Sequence, residues 1–204
     1  VLLILAASVR GRFKKKQCLL SVSILLGAFL ILGMGSVRLF ASAEKGQAVS
    51  VHGSEEPSDV LWSEESVVLD PGMRFAVKVP GQITHARLLT LPEEEGIHTV
   101  IFWDAETEEI LAGPFDWLIA GSEGGWQQFE FPKPIDIEAE HLYVVSVSNN
   151  ESFLKFPFTG KYFAEPAADS VFTLSAASGV FGVGCDVFPR NSFDARSYYR
   201  DVVF

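Results

Sequence analysis

Twenty consecutive residues without a charge, 18–37, follow a basic block that holds Arg10, Arg12, Lys14, Lys15 and Lys16. At about 1.5 Å of rise per residue, a helix of that length spans a hydrocarbon core of roughly 30 Å. Basic flanks stay on the cytoplasmic side, so the chain beyond residue 37 is expected on the outer face of a membrane. The run has no polar face, which argues against a core helix of a soluble domain. Two fates stay open. Ala41 and Ala43 form a small-x-small pattern before Glu44, of the kind signal peptidase reads, and residues 33–36, with two glycines and a serine, shorten the apolar core toward that of a cleaved signal. Otherwise the run is a signal anchor that keeps the cargo tethered. Residues 1–43 are therefore read as a signal peptide or signal-anchor helix, with the membrane as its partner. The rest is expected to be extracytoplasmic, either secreted or membrane-anchored.

Charge divides along the same boundary. All 26 acidic residues follow Ala43, whereas six of the 16 basic ones precede it, leaving a formal excess of sixteen negative charges on the exported part. Such a surface repels phosphate backbones and anionic lipid, so nucleic acid is not an expected partner. Cys18 and Cys185 are the two cysteines; they supply neither a disulfide framework nor a thiolate metal site.

Residues 44–59 are polar, with Gly46, Gly53 and Pro57, and read as a linker. From Val60 onward the apolar residues fall in short runs broken by turn signals, the pattern of an antiparallel all-β sandwich. Strands are expected at 66–69, 73–79, 82–91, 98–103, 109–114, 126–132, 141–149 and 199–204, with weaker signals at 171–174 and 180–183. Turns are expected at 70–72, 80–81, 93–96, 121–125 and 149–150. Period-2 alternation is clearest in 75–79 and 129–131. Seventeen phenylalanines provide a large apolar payload. The fold expected is a jelly-roll-like β-sandwich over 60–204, preceded by the one apolar helix.

Several segments, in order, carry a family resemblance: residues 72–87, 98–103, 109–115, the block opening Gly125-Trp126-Gln127, the strand 143–147 and the closing Asp201-Val202-Val203-Phe204. Together they resemble the bacterial domain of unknown function 4082 family over roughly 60–204. Residues 151–196 match least, with Tyr162, Phe163 and Ala164 the best-aligned positions there. The resemblance implies a β-sandwich of secreted and surface proteins, of the sort that stands beside carbohydrate-active or Ig-like modules. It brings no catalytic residues with it.

The residues themselves favour binding over catalysis. A glycoside hydrolase needs two carboxylates across a cleft, but Glu93, Glu94 and Glu95 fall in a turn expected to be exposed. No Gly-x-Ser-x-Gly elbow occurs, and His52, His85, His98 and His141 show no metal spacing. Sugar binding would rest on aromatic platforms. Trp117, in a segment read as irregular, is the first candidate, with Tyr198 and Trp103 beside it; Trp103 and Trp126 fall on strands, where core packing competes. Tyr198 and Tyr199 are expected on opposite faces of one strand. Calcium is the one ion considered, with Asp186, Asn191 and Asp194, or Asp104 and Glu106, as oxygen donors. No other cofactor is implied. The expected function is an exported non-catalytic module for binding or adhesion at the cell surface, with a glycan or another surface protein as partner. The alternative is a structural spacer or assembly domain, and a hydrolase is the third reading.

Overall fold

The computed structural model describes residues 48–204 apart from 55, 122 and 150–152. The apolar span 18–37, the Ala41 and Ala43 signature and the expected N-terminal helix lie outside the described residues. Within them the chain is all-β, and no helix is long and apolar enough to cross a membrane.

Twelve strands form: β1 Leu61–Glu64, β2 Leu69–Val77, β3 Gly81–Thr90, β4 Gly96–Asp104, β5 Ile110–Ile119, β6 Gly125–Ile137, β7 Tyr143–Val147, β8 Lys155–Phe158, β9 Ala167–Ala168, β10 Phe172–Leu174, β11 Gly179–Val183 and β12 Arg200–Val203. Their ladders are antiparallel. One large sheet runs β5-β4-β7-β2-β10-β9 with β11 also beside β2; a second runs β12-β3-β6; and β1 with β8 makes a separate ribbon.

Alternation decides which side chains meet between the two larger sheets. Met73, Phe75 and Val77 of β2, Val100 and Phe102 of β4, and Tyr143, Val145 and Val147 of β7 pack in one cluster with Ile83, Ala86 and Leu88 of β3, Phe131 and Ile137 of β6, and Val202 of β12. A register shift between Ile83 and His85 moves the inward set of β3 from odd to even positions. Phe75 meets Phe102 and Phe172 edge-to-face at 6.1 and 5.8 Å, an arrangement that adds to plain area burial. On the far side of the large sheet, Ile101, Trp103, Val144, Val180 and Phe188 form a smaller cluster.

Three expectations differ from what is observed. Residues 70–72 do not turn but lie inside β2. Pro71 pairs with Phe181 of β11, while pairing to β7 starts at Gly72, so the missing proline N–H falls just before that ladder begins. Gly72 is needed there because an added Cβ would meet the Val145 carbonyl at 2.6 Å. The strand expected at 109–114 continues to Ile119. Register shifts opposite Val100 and Phe102 absorb Gly113 and Pro114 without ending the strand. The strand expected at 66–69 is instead β1 at 61–64, before a short gap to β2.

Residues 48–52, expected as part of a linker, form a strap docked on the outer face of the small sheet. Val49 and Phe204 exchange backbone hydrogen bonds at 3.0 and 2.9 Å. The Val51 and His52 amides donate to the Asp201 carboxylate at 3.0 and 3.1 Å, and Arg87 donates to the same carboxylate at 2.8 Å. Arg87 also stacks its guanidinium over Trp126 at 4.2 Å. Asp201 has no exposed surface. Replacing it by Asn leaves Arg87 buried without its charge partner and is expected to cost about 3–5 kcal/mol; urea unfolding of Asp201→Asn against the parent chain measures it.

Candidate functional site

The deepest polar feature of the fold surrounds Arg200. Its register partner is Leu88, so its side chain enters the space between the sheets, where it is 1% exposed. Nε donates to the Val147 carbonyl at 3.0 Å and Nη1 to the Tyr198 carbonyl at 2.7 Å. Burial lowers its pKa to about 10, opposed by the nearby Glu94 and Asp70, so it stays charged at neutral pH. Nη2 of Arg200 and Oε1 of Glu94 are buried without a hydrogen-bond partner, and the buried Asp70 carboxylate has the Ser146 hydroxyl and the Val187 amide near it.

Glu94 turns inward from the loop expected to be exposed. Its Oε2 accepts the Leu91 amide at 2.7 Å, and Oε1 lies 3.5 Å from Nε2 of His98. Since Nδ1 of His98 faces the Ser148 carbonyl at 2.6 Å, that nitrogen carries the proton. Burial lowers the His98 pKa to about 4 and raises that of Glu94. The neutral ring therefore turns its Nε2 lone pair to Glu94. Burial likewise pushes Asp70 up to about 7, with the Ser146 hydroxyl opposing it. These are carboxyls with perturbed pKa values, and both are sealed from solvent. Their arrangement is that of an internal charge cluster, without the cleft that a sugar-cleaving pair requires.

An open groove lies at the opposite side of Tyr198. It has a volume of about 380 Å³, within the ~300–1,000 Å³ common for small-ligand clefts. Ser63, Glu65 and Val67 line it on the β1 side, Phe156, Phe181 and Val183 along β8 and β11, and Phe193, Arg196 and Tyr198 on the C-terminal side. The last wall comes from a tight turn. Asp194 and Ala195 hold φ at 52° and 45°, and the Arg196 amide returns to the Phe193 carbonyl at 3.2 Å. The Lys161 and Phe163 amides pin the turn by donating to the Asp194 and Ala195 carbonyls, each at 2.8 Å. Gly179 allows the turn its close approach: an added Cβ would lie 1.7 Å from the Arg196 carbonyl oxygen. Phe193 is left 57% exposed at the rim. The Arg196 guanidinium lies over Phe158 at 3.9 Å and Phe193 at 4.6 Å.

Of the residues singled out in the sequence, Tyr198 alone reaches this groove. It is 3% exposed and forms part of the floor with Leu69 and Phe156; burial pushes its phenol up to about 12. Tyr199 is buried too, because the strap covers its side of the chain: its ring lies 5.1 Å from His52 and its hydroxyl 2.6 Å from that of Thr159. Trp117 is not in an irregular segment. It sits in β5 opposite His98, half-buried, and packs on Phe129 at 5.9 Å. Trp103 is 4% exposed, donates to the Ser146 hydroxyl at 2.9 Å and meets Phe188 edge-on, which leaves no face for stacking.

The three oxygen donors considered for calcium lie in different local settings. Asn191 bridges Phe181 through its backbone and donates Nδ2 to the Phe181 carbonyl at 3.3 Å. Asp194 belongs to the groove turn, and Asp186 occupies an exposed loop position at φ 56°. The Asp104 carboxylate accepts the Glu106 and Thr107 amides at 2.8 and 2.9 Å, closing a turn, and faces His141 at 2.8 Å. Among the described residues no group of three His, Cys, Asp or Glu side chains is placed to hold a metal ion.

Antiparallel sheets enclosing one aromatic core, with no helix among the described residues, make this a sandwich-like all-β domain. The chain belongs to the family described as domain of unknown function (DUF4082), whose pattern matches residues 54–200. No curated protein matches it.

Asp70 generates a pH prediction. Its carboxyl holds a proton to about pH 7 in the folded chain, against an ordinary value of 3.8. Its stabilising contribution is thus complete below about pH 4, declines as pH rises, and is lost above 7, with a slope of roughly 1.4 kcal/mol per pH unit in between. Asp70→Asn removes that loss. The stability difference, mutant minus parent, is expected to grow in the mutant's favour from pH 4 to pH 8 in denaturant titrations; a pH-independent difference contradicts the assignment.

Proposed function

We propose that this chain is an exported, non-catalytic module that binds carbohydrate at the cell surface through the groove between β1 and the 193–196 turn. One observation carries the reading: an exposed phenyl ring, Phe193, stands beside half-buried polar side chains, Ser63, Glu65 and Arg196, around an apolar floor. A pyranose offers an apolar CH face and a rim of hydroxyls, and such a mixed wall complements both. The exported location rests on the basic block before the apolar span 18–37 and on the acidic character of everything after Ala43. The non-catalytic reading is supported by the sealed position of Asp70 and Glu94.

An assembly role at the surface is the second reading, and β5 favours it. This strand is an edge of the large sheet, and Leu118 and its cross-strand partner Ile97 are 67% and 55% exposed. An apolar edge invites pairing with another chain.

A glycan array probed with the full chain is expected to give sugar-dependent retention, and Phe193→Ala to weaken it by about tenfold, the loss of one stacking contact of roughly 1–1.5 kcal/mol. Retention of no sugar contradicts the carbohydrate reading and favours assembly. Mass spectrometry of chain recovered from an expressing cell separates the two fates of the apolar segment: Glu44 as a free N-terminus means release, and an intact segment means anchoring.

A further inference from the structure

Arg196 carries more information than its place in an aromatic wall. Its Nε is buried with no hydrogen-bond partner, and its guanidinium lies over the rings of Phe158 and Phe193. Among the described residues no ion pair joins it to a carboxylate, in a chain segment where acids far outnumber bases. The two fully buried arginines are committed: Arg87 to Asp201 and Ser50, Arg200 to two carbonyls. A half-buried guanidinium stacked on rings and pointed into a groove without its anion is the arrangement that receives one from outside. Planar, always charged and weakly hydrated, it matches a carboxylate better than a lysine does.

Resting on the reading of the groove as a sugar site, we infer that the preferred ligand is a carboxylated sugar, a pyranose of the uronic acid class, whose carboxylate pairs with Arg196 while its ring covers Phe193. Glu65 lines the facing wall on the β1 side. It repels a carboxylate and accepts hydroxyl hydrogens, so it sets the ligand's direction across the groove. The Tyr198 phenol, neutral at physiological pH and pushed further up by burial, adds a polar group to the floor without adding charge. The surrounding negative surface opposes polyanions, since charges within a Debye length of about 8 Å at physiological salt still repel. That restricts the site to an isolated carboxylate rather than a sulfated or polyuronate tract.

Three probes that differ at C6, only one of them charged, decide the matter: methyl β-glucoside, methyl β-glucuronoside and the methyl ester of the latter, titrated calorimetrically into the full chain. The glucuronoside is expected to bind at least tenfold more tightly than the other two, and its advantage to shrink as salt rises from 50 to 200 mM. Arg196→Gln is expected to abolish the preference, bringing the glucuronoside down to the affinity of its ester; Arg196→Lys, which keeps the charge but not the fork, retains part of the preference. An unchanged thermal midpoint separates these effects from loss of folding. Equal binding of all three sugars by the parent chain, or a preference that survives in Arg196→Gln, overturns the inference and leaves the carbohydrate reading standing. Binding of none overturns both.

Discussion

Two adjacent charges on the last strand organise the molecule. Arg200 points between the sheets and Asp201 points to the outer face of the small one, and neither reaches solvent. A charge out of water must be met by partners, since the attraction that compensates its desolvation exists only at contact. Arg200 meets carbonyls of β7 and of Tyr198 and faces acids from β2 and the 91–95 loop. Asp201 gathers Arg87 of β3 and the amides of the 48–52 strap. Slipping β12 by one residue would exchange the two faces and strand both charges, so its register is held far more firmly than four residues of strand would hold it. The segment leading into β12 inherits that placement: Arg196 and Tyr198 arrive at the groove because Arg200 and Asp201 are fixed just beyond them.

Much of the β framework was readable from the sequence, because period-2 alternation and turn residues act locally. The strands at 73–79, 82–91, 98–103 and 126–132 correspond to β2, β3, β4 and β6 with modest shifts at their ends. Two misreadings have a common cause. Pro71 and Pro114 look like terminators, yet each sits where the neighbouring ladder is missing or shifted. The alternation of Phe115, Trp117 and Ile119 was present to be read and would have placed Trp117 in a strand packed on Phe129.

The candidate site was much less legible. Tyr198 was noticed as an aromatic, but Phe193 and Arg196 were hidden in the least regular stretch, where the family resemblance is also weakest. Nothing local distinguishes an arginine that pairs from one that does not; only the folded surroundings show Arg196 stacked on Phe158 and Phe193 with no ion pair among the described residues. The buried acids are hidden for the same reason. Glu94 stands between two other glutamates in a polar loop, and only tertiary contact with His98 and Arg200 turns it inward. Irregular backbone held by a rigid sandwich is a usual place for recognition surfaces, and here the regular strands supply the floor while the 193–196 turn supplies the chemistry.

The central claim is that ligand binding is confined to that groove. Backbone amide shifts of the isotopically labelled full chain, followed by nuclear magnetic resonance during titration with methyl β-glucuronoside, test it directly. The account predicts perturbations concentrated at residues 63–69, 181–183 and 193–198, with the Arg196 Nε–H signal moving furthest as it gains its partner. Shifts centred elsewhere, such as along β5 or at the strap, or no shift at millimolar sugar, would contradict it.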